Sequence, residues 1–332
     1  MRIDWKSVFV LAVLVLATGA AAEDPLPNID SWRHQRPDGP AKVTEPKVTA
    51  PKANGSKAAA PKRAPQPEPR PVVAAPAPQH AFEPPPQTAV PPELLLNDAL
   101  TSLAPQRPGV HDLYFLAFAG WGDQNVFRNE AERVRALFDS RFGTKGRSLI
   151  LVNNPDTLTR YPAATLTNLR TALNGLGERM DKKEDALVLF LTSHGLHNRG
   201  IATHLNGKDL GLLTPRLLAE ALDQAGIRNR IILISACFSG QFVTAIEGDD
   251  TLVITASSAN RMSFGCNATA EWTWFGQSYF VDALPKAGKL VPAFTRAKEL
   301  VAQKETAEKL VPSQPQISVG RNIVRMLTSL GY

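Results

Sequence analysis

The stretch ILISACFSG, residues 232–240, is an apolar run that stops at a cysteine and passes at once into small residues. Read alone it fits two things. One is a buried strand whose Cys237 is a small hydrophobe; the other is a strand whose C-terminal tip presents a thiol. A second stretch, LVLFLTSHG at residues 187–195, has the same shape but ends in a histidine. Two strands ending in SHG and SACFSG, about forty residues apart, favour presentation over coincidence.

Around these runs, apolar strands alternate with amphipathic helices. DLYFLAFAG (112–120) reads as a buried strand, followed by the helical spacing of VFRNEAERVRALFDSRFG (126–143), which stops at Gly143. RSLILVNN (147–154) is a second strand, and a helix starting near Ala163 follows it. DALVLFLTSHG (185–195) is the third strand, leading into a loop containing glycine and histidine. The next helix is TPRLLAEALDQAG (214–226), with Thr214 as its cap and Pro215 suited to its first position. RNRIILISACFSG (228–240) is the fourth strand and DTLVITASSA (250–259) the fifth. Continuous apolar strands with intervening helices predict an α/β fold, a mostly parallel sheet with helices on both faces. Such sheets gather functional groups at the carboxyl ends of their strands, which places His194 and Cys237 on one edge.

A cysteine nucleophile reacts as the thiolate and needs partial exposure together with a proton acceptor or a positive field. Cys237 is expected where its strand gives way to a helix beginning near Ser239, whose N-terminus would favour negative charge. His194 would protonate the leaving amine. Gly195 lets backbone come close, and its N–H together with that of Cys237 would form an oxyanion hole.

A strand ending in His-Gly followed by a strand ending in Ala-Cys-x-Ser/Gly resembles the signature of caspase-like cysteine peptidases, and most closely the legumain family. That family includes the catalytic subunit of the GPI transamidase. The resemblance covers most of residues 110–330, including VITASSANRMSFGCNA (253–268), WFGQSYFVDAL (274–284) and AGWGDQNVFRNEAERV (119–134). It looks like a bacterial, exported branch. It implies a caspase–haemoglobinase-like three-layer sandwich, Cys237 as nucleophile, His194 as general acid/base, and no metal or organic cofactor. Arg128 falls where legumains carry the arginine of their primary specificity pocket, and Ser263 matches a pocket-lining serine. Ser235 stands where legumains have glutamate, and Gln277 where they have aspartate, so their preference for asparagine does not carry over. Asn125 or Asp123 is the candidate for orienting His194. Cys266 matches a cysteine-containing stretch and reads as structural. No legumain-like C-terminal propeptide domain is expected, because the chain ends soon after the fold should be complete.

The remaining composition bounds location and partners. A basic start, an apolar run of about 14 residues and small residues around Ala22 predict a signal peptide over residues 1–22, or an uncleaved anchor. Residues 23–93 are dominated by proline, alanine, lysine and glutamate and predict a disordered linker, as a spacer or a docking site for an envelope or polyproline-binding partner. The peptidase domain is expected over residues 94–332. The net charge of +6 is spread along the chain without a dense basic block, so no nucleic-acid partner is expected. His194, His197 and His204, spaced H-x2-H-x6-H, do not fit common zinc patterns, so no metal is expected. The sequence therefore predicts an exported cysteine endopeptidase or transpeptidase, periplasmic or extracellular, acting on a polypeptide substrate. The alternatives are a catalytically silent caspase-like binding or assembly domain and another Cys–His hydrolase.

Overall fold

The computed structural model describes residues 92–267 and 269–332. The expected signal peptide and nearly all of the expected linker lie outside the described residues. Helix α1, Pro92–Thr101, leads to strand β1, Leu113–Ala119, then α2, Asn125–Arg141, and β2, Ser148–Val152. Helix α3, Leu166–Arg179, precedes β3, Ala186–Thr192. Three short strands follow: β4 (Gly195–Leu196), β5 (Gly200–Leu205) and β6 (Lys208–Leu213). Then come α4 (Pro215–Gln224), β7 (Asn229–Ser235) and β8 (Thr251–Thr255). The chain closes with α5 (Leu290–Ala307), β9 (Gln316–Val319) and α6 (Arg321–Ser329).

The main sheet has the order β2-β1-β3-β7-β8-β9, parallel except for β9, which runs antiparallel to β8. Alternate side chains of each strand feed two separate cores. Phe115, Ala117, Val188, Phe190, Ile231 and Leu233 pack with residues of α2, α5 and α6. Tyr114, Leu116, Phe118, Leu187, Leu189 and Ile232 pack with residues of α1, α3 and α4. Strands buried on both faces read as unbroken apolar runs, and this sandwich is why residues 187–191 and 231–234 do so. Each fully buried Leu, Ile or Phe contributes roughly 1.5–3 kcal/mol. Thr214 caps α4 as expected, its hydroxyl accepting from the Leu217 N–H at 3.2 Å.

Two regions differ from the sequence expectation. The loop after His194 is a three-stranded antiparallel sheet, β4-β5-β6. The helix expected near Ser239 is a 3-10 turn, Ser239–Phe242, running into a single α-turn, Val243–Ile246.

The chain leaves β1 toward β2 on one side and returns to β3 on the other. The switch point of the sheet therefore lies between the carboxyl ends of β1 and β3, where open α/β sheets bind ligands.

Candidate active site

Strands β3 and β7 pair in parallel, with Thr192 opposite Ser235. His194 and Cys237 each lie two residues beyond that matched pair, so the pairing itself brings them to one edge. The strands come unusually close there. A Cβ on Gly195 would sit 1.8 Å from the Cys237 carbonyl oxygen, so only glycine fits. Beyond the cysteine, Phe238 turns the chain through a left-handed conformation, φ 56°, held by its N–H donating to the Arg261 carbonyl at 2.8 Å.

The Cys237 thiol is half-buried and reduced. Among the described residues, its hydrogen bonds are all to Ser263. The thiol donates to the Ser263 carbonyl at 3.4 Å and accepts from the Ser263 N–H at 3.3 Å, with the Ser263 hydroxyl 3.7 Å away. When the sulfur loses its proton, the N–H and hydroxyl remain as donors to the anion. Among the described residues, no acceptor takes the Cys237 N–H, which leaves it available to an oxyanion.

The His194 ring is half-buried, with the edges of Trp121 and Phe127 against it at centroid distances of 4.8 and 5.1 Å. Burial holds its pKa below the ordinary value, so the neutral imidazole is the resting form. Its Nε2 is 2.7 Å from Gln124 Oε1. An amide oxygen only accepts, so Nε2 carries the proton and Nδ1 is the free base. Gln124 follows β1, and this hydrogen bond spans the switch point.

Neither side chain expected to orient His194 does so. Asp123 accepts from His204 Nε2 at 2.9 Å, and Asn125 Oδ1 accepts from Asn154 Nδ2 at 2.9 Å. Gln124, between them, was not singled out by sequence. In the run GDQN each residue has a polar side chain or a flexible backbone, and spacing does not separate them. His204 also binds Asp209 at 2.7 Å through Nδ1 and stacks on Trp121 at 4.2 Å. His197 is exposed and packs on Phe238. The three histidines thus face different partners, and no cluster of metal-ligating side chains occurs among the described residues.

The remaining expected site residues fall in different places. Ser263 touches the thiol. Arg128 lies on the first turns of α2, with its Nη1 shared between Asn154 Oδ1 at 3.2 Å and Asp156 Oδ2 at 3.3 Å. Its Nε is buried with no hydrogen-bond partner among the described residues. Gln277 is half-buried and opens a π-helical stretch, Gln277–Ala283. Ser235 is buried, and its hydroxyl lies 3.0 Å from Thr273 Oγ1, turned beneath the edge. Cys266 is half-buried in the loop that carries Ser263, and burial pushes its pKa up.

Residues 163–325 match the sequence model of the Peptidase C13 family, a stretch that contains both strand tips. That match spans just under half of the chain and supports a legumain-type cysteine peptidase. C13 peptidases are cysteine-type hydrolases of polypeptides, and the match supports the same class for this chain. The crystal structure of caspase-1 from Spodoptera frugiperda is similar to it, with a TM-score of 0.43 and 13% identity over 66% of this chain and 93% of the caspase. No curated protein sequence matches the chain. The C13 match begins beyond Gln124 and Arg128, so those two rest on geometry alone.

Proposed function

We propose that this protein is an exported, C13-type endopeptidase or transpeptidase that cleaves peptide bonds through a thioester on Cys237. The observation that carries the reading is the matched pairing of Thr192 with Ser235, which delivers a half-buried thiol and a neutral imidazole to one sheet edge. His194 Nδ1 takes the thiol proton as the sulfur attacks the carbonyl carbon. The Cys237 and Gly195 N–H groups stabilise the oxyanion. The tetrahedral intermediate collapses with cleavage of the C–N bond, and His194 returns the proton to the leaving amine. Water, activated by His194, or a second amine then attacks the thioester, giving hydrolysis or transpeptidation and regenerating the thiol. No cofactor enters this sequence.

Arg128, Ser263 and Gln277 would contact the substrate side chain, with Ser235 beneath them. Arg128 is the residue through which a carboxylate or amide would be recognised, by the planar fork of its guanidinium. The apolar N-terminal run and the proline-rich segment support export to the periplasm or the cell exterior, with residues 23–93 as spacer or envelope-docking segment.

The test is labelling by peptide electrophiles carrying Asn, Asp, Arg or Lys at the cleavage position, on wild type and Cys237→Ala. Labelling that disappears in Cys237→Ala is expected. Failure of every probe to label wild type at Cys237 would remove the reading.

A further inference from the structure

Beneath the catalytic edge lies a carboxyl group that the reaction scheme does not use. Glu130 projects from α2 and is fully buried, among residues whose spacing faces the core: Val126, Phe127, Ala131, Val134 and Phe138. Among the described residues, no cation pairs with it. Instead it accepts three hydrogen bonds: from Thr192 Oγ1 at 2.6 Å, from the Thr273 N–H at 2.9 Å, and from Thr273 Oγ1 at 2.6 Å. Because the Thr273 hydroxyl proton is spent on Glu130, the same oxygen accepts from the Ser235 hydroxyl at 3.0 Å and from the Gly276 N–H at 2.9 Å. The space is cut to the group, since a Cβ on Gly276 would lie 2.0 Å from Glu130 Oε1. Burial pushes the Glu130 pKa up, and the hydrogen bonds from Thr192 and Thr273 oppose that push.

What this carboxyl joins is specific. Thr192 is two residues before His194, and Ser235 is two residues before Cys237. Thr273 ends the loop whose Ser263 touches the sulfur, and the Trp274 N–H ties back to the Phe264 carbonyl at 2.9 Å. Burying an ionisable group here would be costly for stability alone, and an apolar side chain at position 130 would match its neighbours on α2.

We propose that Glu130 is a positioning residue for the reaction: through Thr192, Thr273 and Ser235 it fixes the separation of His194 from Cys237 and seats the Ser263 loop on the thiol. The inference rests on the Cys237–His194 reading of the function.

It is tested on the full chain with Glu130→Gln, Glu130→Ala and Thr192→Val, measuring kcat and KM on a cleavable peptide. The pH dependence of Cys237 alkylation by iodoacetamide and the melting temperature are measured on the same samples. Glutamine can accept from Thr273 and donate to the Thr192 hydroxyl, so Glu130→Gln is expected to keep kcat within about threefold of wild type. Glu130→Ala leaves three buried donors unpaired and is expected to lower kcat at least about tenfold with KM little changed. It is also expected to move the alkylation profile, which a purely structural role would leave in place. Should Glu130→Ala fail to fold, Thr192→Val carries the test, with a several-fold loss in kcat expected at nearly unchanged melting temperature. Folded Glu130→Ala or Thr192→Val with wild-type kcat and alkylation profile overturns the proposal. So does a Glu130→Gln protein as impaired as Glu130→Ala. If instead wild type and Cys237→Ala turn over substrate equally, it is the dyad reading that falls.

Discussion

Two histidines contact the Trp121 ring, and the fold treats them in opposite ways. His194 meets the indole edge-on at 4.8 Å, has no charge partner among the described residues, and is pushed by burial toward its neutral form. His204 stacks flat on the same ring at 4.2 Å. Its pKa is raised by hydrogen bonding and charge from Asp209 and then Asp123, against a burial effect that lowers it. On the proposed function, the difference teaches how a scaffold separates a working imidazole from a supporting one. A proton-transfer group needs one free nitrogen and a pKa near working pH, whereas a brace is best with both nitrogens donating. His204 is a brace for the loop on which Gln124 lies: its backbone N–H donates to the Gly120 carbonyl, and the Gly122 N–H donates to the His204 carbonyl.

Predictions follow from this contrast, the largest effect first. His194→Ala is expected to lower kcat/KM about 100- to 10,000-fold, the usual worth of a general acid–base. A loss under tenfold in steady-state peptide cleavage would mean that the two histidines are not distinct in role. Gln124→Leu removes the acceptor on Nε2 and frees the ring to change tautomer. About a tenfold loss in kcat/KM is expected, corresponding to a hydrogen bond worth roughly 1.4 kcal/mol. A wild-type rate for this variant would return the orienting role to another group.

The third prediction concerns pH. His194 has a depressed folded pKa, so its neutral, active form persists to a pH below the ordinary value of about 6.5. The acidic limb of kcat/KM attributable to His194 is expected below that value, and a limb above it would contradict the assigned environment. The smallest effect is on stability. His204 has a raised folded pKa, so its contribution is fully present below the unfolded value and is lost as pH rises through the folded one. His204→Gln is therefore expected to lower the melting temperature more at pH 6 than at pH 9, by a few degrees. An equal shift at both would show that its charge does not matter.

Much of this architecture is legible in the amino-acid sequence because sandwiched parallel strands cannot hide their pattern. Leu113–Ala119 in β1, Ala186–Leu191 in β3 and Ile231–Ile234 in β7 are unbroken apolar runs, and His194 and Cys237 stand two residues beyond the ends of β3 and β7. Strand β9 is four residues long with a half-buried pattern, too short for any period to show. Residues 195–213 carry a bulge between Thr203 and His204 and left-handed glycines at 200, 207 and 211, which mask the alternation of a sheet. Gln124 had no distinguishing spacing. Glu130 did have one: it shares the helical stripe of Val126, Phe127, Val134 and Phe138, and a charge on that stripe marks a group with buried partners. The short turns after Cys237 leave less helix dipole on the sulfur than a full helix would supply, and the Ser263 donors occupy that role.

The pairing of Thr192 with Ser235 has a consequence for how such a chain tolerates change over time. Neighbouring strands lie about 4.8 Å apart whatever side chains they carry. The spacing of His194 and Cys237 is thus inherited from backbone hydrogen bonding, while the apolar side chains on either face serve as filler. Substitutions among Val188, Leu189, Ile232 and Leu233 can accumulate, volume for volume, without retuning the chemistry, whereas one inserted or deleted residue in either strand would abolish it outright.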